Sequence, residues 1–141
     1  MRGLWRLTSA AGGQDTATVM NFDAVRRLAE GLPNVEQATM YGKPALKVRG
    51  RMFACITSHK SAEPRTLAVR ASFDERDALI GADPGTFYLT DHYADHPIVL
   101  VRLTRIRPDA LRDLLLGAWR LVSSQRERAA AGRPRRVRPR R

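Results

Sequence analysis

The stretch "TDHYADHP", residues 90–97, sets Asp91, His92, Asp95 and His96 in two interleaved pairs four residues apart. On a helix this spacing would gather two imidazoles and two carboxylates on one face, a donor set suited to a divalent metal. Pro97 follows His96 directly, and the residue before a proline is biased away from helical angles. The segment is therefore expected to be a polar loop, able to bind an ion only if the loop itself draws the imidazoles together.

Nucleophilic chemistry has even fewer parts. Ser58-His59 lies in the polar run "TSHKSAEPR" (57–65), and Ser72 is accounted for as a helix cap. Cys55 alternates with Phe53 on an expected strand, where a free thiol usually behaves as a small buried hydrophobe. It is also the only cysteine, which excludes an internal disulfide and any multi-thiolate metal site. No serine or cysteine stands beside a histidine and an orienting acid in a recognisable pattern. No catalytic residue, metal ligand or cofactor is assigned, and the chain is not expected to be an enzyme.

Cations are the remaining chemistry-bearing groups. Lys43, Lys47, Arg49 and Arg51 cluster around one tight connection, a shape able to act as a wing against phosphates. A second group, Arg133, Arg135, Arg136, Arg138, Arg140 and Arg141, lies in a proline-containing tail without apolar pattern. The formal charge of +11 is unevenly spread: residues 125–141 hold eight arginines and one acid, so the span 20–124 is only mildly basic. Arginines also far outnumber the three lysines, Lys43, Lys47 and Lys60, a bias that genome composition alone can produce. If about six tail arginines met duplex phosphates, affinity would fall by roughly five decades per tenfold rise in salt.

The elements that must position these groups follow from periodicity. Asn21 is a suitable N-cap, and Phe22, Val25, Leu28, Ala29 and Leu32 form one apolar stripe ended by Gly31 and Pro33. A short extended stretch from Val35 leads to a turn at Tyr41-Gly42-Lys43-Pro44. "ALKV" (45–48) and "RMFACI" (51–56) flank Arg49-Gly50 and predict a hairpin, closed by a two-residue type I′ loop or a bulged turn. "TLAVR" (66–70) is a third strand. Ser72 and Glu75 form a capping box for a short helix closed by Gly81 and Pro84. "TFYLT" (86–90) and "IVLVRL" (98–103) are two further strands, and a last helix opens at Pro108-Asp109. Strands 51–56 and 98–101 are apolar at consecutive positions, whereas a sheet with one wet face alternates. Met52, Ala54 and Ile56, or Ile98 and Leu100, thus either face a partner or lie beneath loops.

The stretch "NFDAVRRLAEGLPNVEQATMYGKPALKVRGRMFACI" (21–56) resembles the MmcQ/YjbR family. The likeness continues through "LAVRASFDERDALIGADPGTFYLTDHYADHPIVLVRL" and "PDALRDLLLGAWRLV", covering about residues 20–122. Its marks are the Tyr41-Gly42-x-Pro44 turn, the Val48-Arg49-Gly50-Arg51 hairpin and the His92-Tyr93…Pro97 loop, in the family order. The resemblance implies an α-β3-α-β2-α fold, similar to secretion-chaperone-like domains, and brings no catalytic residue. Family members are commonly labelled DNA-binding because the fold is similar to a double-wing domain; fold does not fix function. His96 departs from the family pattern, where an aromatic is frequent.

The expectation is a two-layer α+β domain over 20–124 with a mainly antiparallel five-stranded sheet, flanked by a flexible extension (1–19) and a disordered arginine-rich tail (125–141). Its expected role is nonspecific binding of nucleic acid, DNA above all, through the basic hairpin and tail. A protein-interaction or chaperone-like module, with a protein partner or a second copy, is the alternative. No apolar run approaches the roughly 20 residues that span a bilayer, and no signal peptide is visible, so a cytoplasmic location is expected.

Overall fold

In the computed structural model, residues 20–123 are described; the expected extension and the tail arginines from Arg133 to Arg141 lie outside them. Helix α1 (Phe22–Leu28) starts where Asn21 accepts the Ala24 amide at 2.9 Å. Helix α2 (Phe73–Ala82) starts where the Ser72 hydroxyl accepts the Glu75 amide at 3.1 Å. Helix α3 (Pro108–Val122) carries proline in its first turn and buries Leu111, Leu114, Leu115, Ala118, Trp119 and Val122 along one face.

The sheet has six strands rather than five: β1 (Val35–Met40), β2 (Lys43–Val48), β3 (Arg51–Ile56), β4 (Thr66–Arg70), β5 (Phe87–Tyr88) and β6 (Ile98–Arg102). All neighbours are antiparallel, in the order β1-β2-β3-β4-β6-β5. The stretch from Val35 is a full strand, paired along its whole length with β2. It is an edge strand, and its exposed Glu36, Gln37 and Thr39 hide the apolar alternation expected of a sheet. The element order is consequently α-β4-α-β2-α. β5 is shorter than the expected 86–90, because the chain leaves the sheet after Tyr88.

Both β1–β2–β3 connections are two-residue turns. Tyr41 and Gly42 have φ of 54° and 80°, and Arg49 and Gly50 have 51° and 82°. Both central residues of each turn are thus left-handed, as a type I′ turn requires. Glycine reaches this region freely, whereas tyrosine and arginine are strained there.

One face of the sheet, with Leu46, Val48, Phe53, Leu67, Val69, Val99 and Val101, packs against the helices and forms the main core. Trp119 closes it, fully buried, its indole N–H donating to the Pro33 carbonyl at 3.0 Å. The opposite face carries a smaller cluster of Ala45, Met52, Cys55, Ala68 and Leu100, covered in part by the loops around residues 57–65 and 89–97.

The consecutive apolar residues of β3 now have a cause. Leu46 lies opposite Ala54 but Lys47 lies opposite Met52, so Phe53 is an extra residue in a β-bulge. Phe53 and Ala54 therefore both join the main core, with Ile56 packed against it, while Met52 and Cys55 face the other way. Met52, Ala54 and Ile56 are not one exposed face. Both β3 and β6 are central strands with loops over their second face.

Candidate functional site

The face away from the helices holds most of the unspent chemistry. Small side chains run across it in register: Ala38 opposite Ala45, Ala45 opposite Cys55, Cys55 opposite Ala68. Such a row leaves room above the sheet, and a cavity of about 250 Å³ lies there. Met52, Cys55, Ala68 and Ile98 line it from the sheet, Met40 and Tyr41 from the β1–β2 hairpin, and His92, Tyr93 and His96 from the far loop.

That loop is where the Asp/His pairs fall. Asp91–Tyr93 forms one 3-10 turn, not the α-helix that would align His92 with His96. His92 instead stacks on His59 from the 57–65 loop, with ring centroids 3.5 Å apart and planes 10° from parallel. Tyr93 meets His92 edge-on at 4.7 Å. Among the described residues no group of three or more His, Cys, Asp or Glu side chains is gathered to hold a metal ion. The loop is anchored by Arg76, whose guanidinium donates to the Ala94 and His96 carbonyls at 2.9 and 3.2 Å.

His59 accepts from the Ser61 amide and meets the Ser61 hydroxyl at Nδ1, and that hydroxyl contacts Thr90 Oγ1 at 2.9 Å. With Nδ1 an acceptor, the neutral ring carries its proton on Nε2. Burial, then the neighbouring His92 and Lys60, lowers the His59 pKa below its ordinary value. No carboxylate among the described residues is bonded to this imidazole, so the Ser61–His59 contact lacks the orienting acid of a hydrolytic triad. Burial pushes the Cys55 thiol up to about 11, leaving it a poor nucleophile near neutral pH.

The basic residues of the hairpin separate into two sets. Alternation along β2 puts Lys43 and Lys47 on the cavity side of the sheet, with Ala45 between them. Lys43 is exposed and lies opposite Met40; Lys47 is half-buried and lies between Glu36 and Met52. Arg49 stands exposed on the turn. Arg51 points the other way: its guanidinium donates to the Val122 carbonyl at 3.2 Å, at the C-terminal end of α3. It is a helix-end ligand more than a wing residue.

Two arginines share the cavity face of the sheet, and their surroundings differ. Arg102 is saturated: it grips both Glu63 oxygens at 2.9 and 2.8 Å, donates to the Pro84 and Gly85 carbonyls, and lies 4.2 Å over the Tyr88 ring. Hydrogen bonds from Arg102 hold the Glu63 carboxyl below its usual pKa. Arg70, which alternates with Ala68 and Thr66 on β4, lies opposite Ile98 at the cavity's border. Its Nε is buried with no hydrogen-bond partner, and it meets no carboxylate among the described residues. Arg70 is absent from the sites expected of the sequence. Its face was readable from the alternation of "TLAVR", but the burial of its Nε without an acceptor is a tertiary fact.

A family model described as YjbR matches residues 30–121. Uncharacterised proteins of Mycobacterium tuberculosis and Mycobacterium bovis are each 33% identical over 110 residues, covering 70% of this chain and 84% of theirs. The crystal structure of a Deinococcus radiodurans protein with a DUF419 domain is similar in fold. Its TM-score is 0.63 at 22% identity, over 83% of this chain and 91% of that one.

Proposed function

The chain belongs to the YjbR family, and on that premise we propose that it is a non-catalytic protein that associates with nucleic acid through backbone phosphates. The observation that carries this reading is the unbalanced charge of the cavity face over β1–β4. Lys43, Lys47 and Arg70 stand there against one carboxylate, Glu36, and the buried Arg70 Nε has no partner. Lys43 is exposed and Lys47 half-buried, so phosphate oxygens can reach both ammonium groups, with the Arg70 charge behind them. Arg49 extends the same charge to the hairpin tip, and the tail arginines add a sequence-independent attraction.

The bound polymer is read as DNA without sequence preference, since lysines and arginines placed toward phosphates position a chain but carry no base code. Of the apolar positions that motivated the protein-partner alternative, Ala54 belongs to the main core and Ile56 packs against it, while Met52 and Ile98 line the cavity, so no continuous apolar strand face supports that reading. Among the described residues no helix is long and apolar enough to cross a membrane.

The test is a salt titration of DNA binding by the full chain, by a chain ending at residue 124, and by a Lys43→Ala/Lys47→Ala variant. The logarithmic salt slope should fall by about 0.9 for each phosphate contact removed, so by roughly 2 in the double variant. Negligible binding by the full chain, or slopes that neither change reduces, would defeat the proposal.

A further inference from the structure

We propose that the cavity on the open sheet face receives one unstacked nucleobase of a single-stranded nucleic acid, with flanking phosphates on Lys43, Lys47 and Arg70. The inference rests on the phosphate-binding reading for its cations and adds what the cavity holds.

The cavity measures about 250 Å³. Drug-sized ligands need roughly 300 Å³ or more, so this space suits a single ring system. Its floor is apolar: Cys55 and Ala68, opposite one another in register, lie between the longer side chains of Met40, Met52 and Ile98. Its walls carry aromatic rings: His92, braced from behind by His59, with Tyr93 and His96 on one side, and Tyr41 on the other. Thr57 and Ser58 add polar groups at the lining, where the edge of a heterocycle needs partners. No carboxylate lines the cavity, so nothing there repels the phosphates that accompany a base.

Tyr41 is the second, independent pointer. It is 85% exposed and has a left-handed backbone. It also occupies a turn position at which asparagine or aspartate is the ordinary residue. A bulky side chain held at positive φ with its ring in water contributes nothing to the fold that asparagine would not. A strained, exposed aromatic at the lip of a cavity is the arrangement of a stacking platform, and stacking on it is available to any base. A base inside a duplex cannot reach this cavity, so the site discriminates single strands from double.

The experiment uses the full chain and follows the methyl signals of Met40 and Met52, which line the cavity, by NMR. Probes are adenosine monophosphate, inorganic phosphate, and a short single-stranded oligonucleotide with an abasic version of equal length and charge. Anisotropy gives the affinities of both strands and of a duplex. The nucleotide and the normal single strand should shift both methyls well beyond any shift that inorganic phosphate causes from Lys43 and Lys47, and the normal strand should bind about tenfold tighter than the abasic one. Tyr41→Asn should keep or raise the melting temperature, weaken the normal strand about tenfold, and leave duplex affinity unchanged. Equal affinity for normal and abasic strands with unmoved methyls overturns the base site and leaves the phosphate reading standing. No binding of any strand overturns both. Methyl shifts caused by an acidic, aromatic peptide but not by the nucleotide overturn it in favour of a protein ligand.

Discussion

Replacing Arg51 by alanine separates a structural cation from the binding cations within one hairpin. The guanidinium donates to the Val122 carbonyl, one of the last-turn acceptors that α3 cannot satisfy itself. A charged donor on a backbone acceptor contributes about 1.5–3 kcal/mol where it is well shielded, and its charge at a helix C-terminus adds about 0.3–1 kcal/mol. Arg51 is exposed, so water competes for both, and a loss of about 1 kcal/mol remains. In a domain of roughly 100 residues that lowers the melting temperature by about 4–8 °C. The companion substitution Lys47→Ala removes a cation that holds no hydrogen bond among the described residues, and should move the melting temperature by no more than ~2 °C. In DNA titrations the ranking reverses: Lys47→Ala takes about 0.9 from the salt slope, and Arg51→Ala leaves it in place. Thermal scans and salt titrations of both variants read the two effects independently. Arg51→Ala with unchanged melting temperature and a reduced slope would refute the assignment, and would return Arg51 to the wing.

Other contacts lead to three more expected outcomes. Trp119→Phe strands the Pro33 carbonyl and leaves a void in the main core. It should cost about 3 kcal/mol in urea unfolding; a loss under about 1 kcal/mol would contradict the packing. With its pKa near 11, the Cys55 thiol should react with iodoacetamide at pH 8 at least ~100-fold more slowly in the folded chain than in urea. Comparable rates would mean that Cys55 is open to solvent. The lowered His59 pKa means that the unfolded chain binds the proton more readily, so stability is full above about pH 6.5 and declines as pH falls below it. Melting temperatures at pH 7.5 and 5.5 should therefore differ less in His59→Gln than in the parent chain, and equal differences would remove His59 from the linkage.

What could be read from the letters was what neighbours in sequence decide. Asn21, Ser72 and Pro108 begin helices because capping and proline geometry act within one turn. Gly42 and Gly50 mark turns for the same reason, and the Pro97 rule correctly denied a helix through His96. β1 escaped because an edge strand with one covered face spends Glu36, Gln37 and Thr39 on water and loses the usual alternation. The site was less accessible still. Arg51, Arg70 and Arg102 are the same letter on three strands; a carbonyl 71 residues away, an unfilled Nε and the carboxylate of Glu63 make them three different groups. The cavity depends on Cys55 and Ala68 coming together between Met40, Met52 and Ile98, a product of strand pairing that no window of sequence contains.

The bulge in β3 also determines where this sheet can lose a residue. Removing one residue from a regular strand turns every later side chain to the opposite face. Removing Ala54 would instead take out one of the two bulge residues that share the core side, with Phe53 moving into its pairing: Met52, Phe53, Cys55 and Ile56 would alternate, each still on its present side. The Arg49-Gly50 turn before it and the pairing of Cys55 with Ala68 after it would keep their parity. Position 54 is thus the sheet's natural indel point, where a chain one residue shorter retains the same core, the same row of small side chains and the same cavity.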